Sequence, residues 1–227
     1  MNLMNVDSNL DCTRRQLVIA MSGMLIGIKS ASAAAAPLRI LVMGDSLSAE
    51  YGLPRGTGWV ALLQARLAAQ HIKAEVINAS VSGETTAGGQ TRLPALLKLH
   101  RPTHVIIELG ANDALRGLSL KSSEAHLQTM TTDSQQAQAQ VLLLGMLVPP
   151  NYGKRYTEDF AKVYVTVAQQ NKAALVPFFL KGVADRPDAR DWFQADGTHP
   201  LPKAHPIMME QVWGTLKPLL LGNQPRA

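Results

Sequence analysis

The stretch LRILVMGDSLSAEYGL, Leu38–Leu53, decides the fold. Leu38–Met43 is an apolar run broken only by Arg39, with no alternation of apolar and polar positions. A strand of that kind must be covered on both faces, as in a parallel sheet with a helical layer on each side. The run empties into Gly44-Asp45-Ser46, three small or polar residues that end the strand abruptly. A serine just after a strand most often caps a helix. Whether Ser46 does more depends on what the other strands deliver beside it.

Working outward, apolar strands and amphipathic helices alternate. Gly58–Gln70 predicts a helix with Trp59, Leu62, Leu63 and Leu67 on one face. Glu75–Val81 predicts a strand. Leu93–Leu99 predicts a helix, with Pro94 tolerable only near its first turn. His104–Leu109 is a strand. Ser122–Gln140 is polar, with a weak helical pattern. Val141–Val148 is a strand stopped by Pro149-Pro150. Asp159–Asn171 is a helix with Phe160, Val163, Tyr164 and Val167 aligned. Ala174–Phe179 is a last short strand, and Ala204–Leu220 a closing helix. Five strands separated by helices predict an α/β fold: a three-layer α/β/α sandwich, flavodoxin-like, on a five-stranded parallel sheet with Leu38–Met43 at its centre.

The chain has 227 residues, of which 46% are hydrophobic, enough for one domain with a substantial core. Its formal charge of +5 comes from scattered residues with no basic run, which argues against a nucleic-acid partner. Arg14-Arg15, the apolar Leu17–Ile28 and the small residues SASAAAAP follow the order of a secretory signal peptide. Residues 1–36 are therefore expected to be removed, with cleavage near Ala33 or Ala36. That leaves a single domain over 37–227 in a periplasmic or secreted protein. The only cysteine, Cys12, would leave with the signal, so neither a disulfide nor a thiol nucleophile is expected.

In open α/β sheets, sites form beyond the carboxyl ends of the strands. The first strand is followed by GDSLS, the second by SGET, the third by GAND, and the last by DGTHP. Ser46 is a weak nucleophile unless a base takes its proton. His199 could be that base, and Asp196, three residues earlier on the same turn, could fix its tautomer. The backbone N–H groups of Ser46 and Gly83 and the side-chain amide of Asn112 could receive an oxyanion. Asp45 is expected to bond N–H groups of its own turn, and Asp113 to serve as a cap. Glu108, on an apolar strand, is either a hydrogen-bonded support for the site or purely structural. Two-metal phosphoester chemistry on Asp45, Asn112, Asp113, Asp196 and His199 would have too few histidines and no use for Ser46. No metal or cofactor is expected. His71, His100, His104 and His126 are read as solvated or structural, and His205 as a cap.

GDSLS near the start of the domain, a later glycine, GAND, and a C-terminal Asp-x-x-His resemble the SGNH (GDSL) hydrolase family, in the family's order. Over residues 38–220 the chain is similar to bacterial periplasmic members described as acyl-CoA thioesterase, lysophospholipase and arylesterase. The stretches GDSLSAEYGL, INASVSGETT, RLPALLK, ELGANDALRG, NYGKRY and DGTHP carry the likeness. The resemblance implies Ser46 as nucleophile, His199 as base, Asp196 as orienter, and Ser46, Gly83 and Asn112 as oxyanion donors. One departure is Ala111, where the family has a glycine; a positive φ there would strain an alanine.

The substrate expected is a small fatty-acyl ester, thioester or lysophospholipid, met by a monomer with at most transient lipid contact. Leu115, Leu118 and Leu120 in ALRGLSLK have no evident helix or strand face and could wall an acyl chain, as could Tyr152 in PPNYGKRY. Packing against the core is the other reading of the leucines. An acetyl esterase of carbohydrate, or a non-catalytic lipid binder, could use the same frame.

Overall fold

The computed structural model describes residues 37–222; the signal-peptide reading, Cys12 included, lies outside the described residues. Five strands form one parallel sheet: β1 Leu38–Gly44, β2 Ala74–Asn78, β3 His104–Glu108, β4 Gln140–Leu144 and β5 Ala174–Val176. Their spatial order is β2-β1-β3-β4-β5, so β3, not β1, is central. All five residues of β3 are buried, as a strand covered on both faces requires.

The helices are α1 Trp59–Ala69, α2 Thr86–His100, α3 Ala111–Leu115, α4 Leu120–Gln136, α5 Lys154–Asn171 and α6 His205–Gly222. The chain steps one way from β1 to β2 and the other way from β2 through β5. Right-handed crossovers then send α1 to one face and α2, α4 and α5 to the other. The packing agrees: α1 lies against α6, while α4 lies between α2 and α5. The three-layer sandwich is as the sequence predicts. Among the described residues no helix is long and apolar enough to cross a membrane.

Several boundaries differ, each for a physical reason. The apolar run Val141–Val148 outlasts β4 because Met146 and Val148 are still buried after pairing stops. At Gly145 the chain passes so close to the next segment that a Cβ would lie 2.5 Å from the Pro177 carbonyl oxygen. Likewise β2 stops at Asn78 and β5 at Val176, short of their apolar runs. Helix α2 begins at Thr86, seven residues before Leu93, capped by the Thr85 hydroxyl, which accepts the Gly88 N–H. Pro94 therefore sits mid-helix, on an exposed position. Gly88 and Gly89 hide this first half, although a Cβ on Gly89 would lie 2.3 Å from Leu109 Cδ1. Helix α4 buries Ser123, Thr131 and Ser134, hydroxyl residues that make its inner face look polar. All three bond back to the carbonyls four residues earlier, Ser123 to Ser119 at 3.2 Å and Thr131 to Leu127 and Ser134 to Met130 at 2.8 Å.

Candidate active site

The reversal of strand order falls between β1 and β3, and the polar clusters gather at the carboxyl ends beside it. Ser46 sits in the turn after β1. Its Oγ lies 2.8 Å from His199 Nε2, and His199 Nδ1 lies 2.7 Å from Asp196 Oδ2. Asp196 Oδ1 also accepts the backbone N–H of Thr198 at 2.9 Å and of His199 at 3.0 Å. The bond from the His199 backbone, then that from its ring, hold the Asp196 carboxyl down at about 2. The residues between are pinned as a small loop: Gln194 N–H donates to the His199 carbonyl at 2.7 Å, and Phe193 bridges Pro200. The Tyr51 ring leans on the imidazole, with centroids 4.4 Å apart.

Asn112 lies on α3, a short helix that follows β3 directly, rather than on a bare strand exit. Its Nδ2 donates to Asp45 Oδ2 at 2.9 Å, which leaves its second N–H free of that bond. Asp45 is buried and also accepts the Leu47 N–H at 3.0 Å, as expected of a turn residue. Gly83 has φ +78°, where a side chain would be strained, and its carbonyl accepts from Arg116 Nη2 at 3.0 Å. Neither the Ser46 nor the Gly83 N–H donates to any described residue. Gly110, at φ +120°, absorbs the strained position before α3, so Ala111 stands in ordinary helical backbone and its methyl costs nothing there.

Asp113 does more than cap. Its carboxylate accepts the Thr86 N–H at 2.9 Å and hydroxyls of Thr86 and Ser123, tying α3 to α2 and α4. His205 caps α1, its Nδ1 accepting the Trp59 N–H at 3.1 Å. Leu115 and Leu120 prove to have helix positions, on α3 and at the start of α4, and Leu120 packs against the core. Leu118 and Tyr152 are exposed, at 45% and 38%, and the Tyr152 hydroxyl reaches the Leu115 carbonyl at 3.4 Å. Tyr51, Ser48 and Trp59 also border the site; an aromatic or a second serine near a motif carries no signal of its own in the sequence.

Residues 42–207 match the model of the GDSL-like Lipase/Acylhydrolase family. The chain belongs to this family. It is 52% identical over 186 residues to Esterase TesA of Pseudomonas aeruginosa, covering 82% of this chain and 91% of that one. It is 41% identical over 187 residues to Thioesterase 1/protease 1/lysophospholipase L1 of Escherichia coli K12, covering 82% and 87%. A crystal structure of TesA superposes with a TM-score of 0.77 at 52% identity, covering 80% of this chain and 99% of that one. As a GDSL-like hydrolase with the SGNH fold, the protein is an ester-hydrolysing enzyme.

In this GDSL-like hydrolase the buried Asp45 carries a stability signature. Burial pushes its carboxyl up to about 6, from an ordinary value of 3.8. Between those values the native state binds more protons than the unfolded one, so stability falls as pH rises from about 4 to 6. Asp45→Asn should remove the Asp45 share of that slope, worth on the order of 2 kcal/mol, in melting curves taken across the window.

Proposed function

We propose that the protein is an exported serine esterase that hydrolyses fatty-acyl esters or thioesters and works as a monomer. The observation that carries this reading is the hydrogen-bonded line from Ser46 Oγ through His199 to Asp196. In this mechanism His199 Nε2 takes the Ser46 proton as Oγ attacks the acyl carbonyl. Asp196 holds the Nδ1 proton and stabilises the imidazolium. The carbonyl oxygen becomes an oxyanion facing the Ser46 N–H, the Gly83 N–H and the free N–H of Asn112. As the carbon–oxygen or carbon–sulfur bond breaks, His199 gives its proton to the leaving alcohol or thiol. Water, with His199 again as base, then frees the acid from Ser46. No metal or cofactor enters any step.

Asn112 is placed by Asp45 before substrate arrives, so its donor needs no reorganisation. Asn112→Ala should lower kcat by about 10²–10³-fold while leaving KM much less affected. Steady-state kinetics on p-nitrophenyl butyrate check this.

The acyl chain is assigned to the side of Leu115, Leu118 and Tyr152, exposed apolar residues after β3 and β4. The relatives' names, esterase, thioesterase and lysophospholipase, support the same substrate class. The test is a panel of p-nitrophenyl esters from acetyl to long acyl chains, with a lysophospholipid and an acetylated sugar alongside. Rising kcat/KM beyond acetate is expected, and sharp preference for acetate would overturn the lipid reading. Leu118→Ala should lower kcat/KM for long chains by roughly tenfold and leave acetate nearly unchanged. Export rests on the residues 1–36, and sequencing the mature N-terminus from cell fractions tests it.

A further inference from the structure

Glu108 has no part in the chemistry just described, yet it lies directly behind it. It ends β3 and pairs in register with Gly44, the last residue of β1. The side chain is fully buried, and its Oε1 has no hydrogen-bond partner among the described residues. Its Oε2 accepts the Ser48 hydroxyl at 2.8 Å and the Asp45 backbone N–H at 3.3 Å.

The direction of one bond at Ser48 is fixed. Trp59 Nε1 donates to Ser48 Oγ at 3.1 Å, and an indole N–H can only donate. That leaves the Ser48 proton available to Glu108 Oε2. Ser48 is also held by its carbonyl, which accepts from Asn78 Nδ2 at 2.8 Å. Ser46 thus lies between two residues tied to one carboxyl oxygen, Asp45 on one side and Ser48 on the other. Gly44 makes room for this contact. A Cβ there would lie 2.6 Å from Ser48 Cβ and Oγ and 2.9 Å from Glu108 Oε2.

We propose that Glu108, acting with Ser48, is a positioning residue of the reaction: it locks the turn that carries Ser46 and leaves Asp45 to orient Asn112. The inference rests on the reading of Ser46 as nucleophile. Burial first, and then the neighbouring Asp45, push the Glu108 carboxyl well above its ordinary range. Two buried carboxyls this near one another do not both ionise. Asp45 has a donor on each oxygen, from Leu47 and Asn112, and lies near His199, whereas Glu108 Oε1 has no partner, so the charge settles on Asp45 and Glu108 stays the neutral acid. The third titratable neighbour, the Tyr164 phenol on α5, is held neutral by the same burial.

Glutamine copies a neutral acid and not a carboxylate, which makes the idea testable. Active sites are first counted by labelling with a p-nitrophenyl phosphonate, and kcat is then expressed per labelled site. Glu108→Gln should stay within about threefold of the parent. Glu108→Ala and Ser48→Ala should each lose about 10–100-fold in kcat per site with KM little changed, since small misplacements of a nucleophile cost that much. Should Glu108→Ala fail to fold, Ser48→Ala decides alone. Unchanged kcat per site in the alanine variants overturns the inference, as does Glu108→Gln falling as far as Glu108→Ala. If the parent's label maps away from Ser46, the nucleophile reading fails and takes this inference with it.

Discussion

Ser46→Ala should fold as the parent does and hydrolyse p-nitrophenyl butyrate roughly 10⁵–10⁶-fold more slowly. The size follows from the geometry. Ser46 Oγ touches the imidazole at 2.8 Å and is the only described hydroxyl that His199 reaches. With it gone the base has nothing to activate but water. Some acceleration over the uncatalysed reaction should survive, because the substitution leaves the proposed oxyanion donors, the Ser46 and Gly83 N–H groups and Asn112, in place. Stability should hardly move: Ser46 is only half-buried, and its loss opens no core cavity. Kinetics with purified protein and a melting curve separate the two effects.

Asp196 carries the second large effect. Asp196→Asn should lower kcat about 10⁴-fold. Asparagine can still accept the Thr198 and His199 backbone N–H groups through Oδ1, so the loop survives. Its amide, however, meets His199 Nδ1 as a donor, forces the proton to Nε2, and leaves Ser46 Oγ without an acceptor. Asp196→Ala removes the loop bonds too and should be at least as slow. The sign of the pH effect is also defined. The Asp196 carboxyl is held down at about 2, below its unfolded value of about 3.9, so its contribution to stability is present above pH 4 and is lost as pH falls towards 2. Because the Asp196 side chain is 41% exposed, that contribution is small, and the activity loss is the decisive readout.

The fold was legible where burial and pattern coincide. β1 and β3 are apolar at every buried position but one or two, and α5 shows its inner face through Phe160, Val163, Tyr164 and Val167. It was obscured where buried positions do not look apolar. The glycines of α2 and the hydroxyls of α4 serve close packing and self-bonded turns, and neither leaves a hydrophobic period. Apolar runs likewise overstated β2, β4 and β5, because a chain can stay buried after it stops pairing. The centre of the sheet was misplaced for a related reason: run composition does not tell an interior strand from the central one.

The site divides in the same way. Ser46, Gly83 and Asn112 follow β1, β2 and β3 within a few residues, so a rule about where α/β sheets hold chemistry finds them, whereas Asp196 and His199 come well after β5 and are marked by their Asp-x-x-His spacing. What lies behind them is harder to read. Glu108 shows as a lone carboxylate in an apolar strand, but its attachment to Ser48 and Asp45 depends on the β1–β3 register. Tyr51 meets His199 across 148 positions of sequence, a pairing that no local pattern announces.

The nucleophile is tested most directly by treating the protein with a p-nitrophenyl phosphonate, digesting it, and finding the modified peptide by mass. One phosphonyl group per chain is expected, on Ser46, appearing in step with the loss of esterase activity and absent from His199→Ala. Full inactivation with the label on another residue, or full labelling of Ser46 with activity intact, would contradict it.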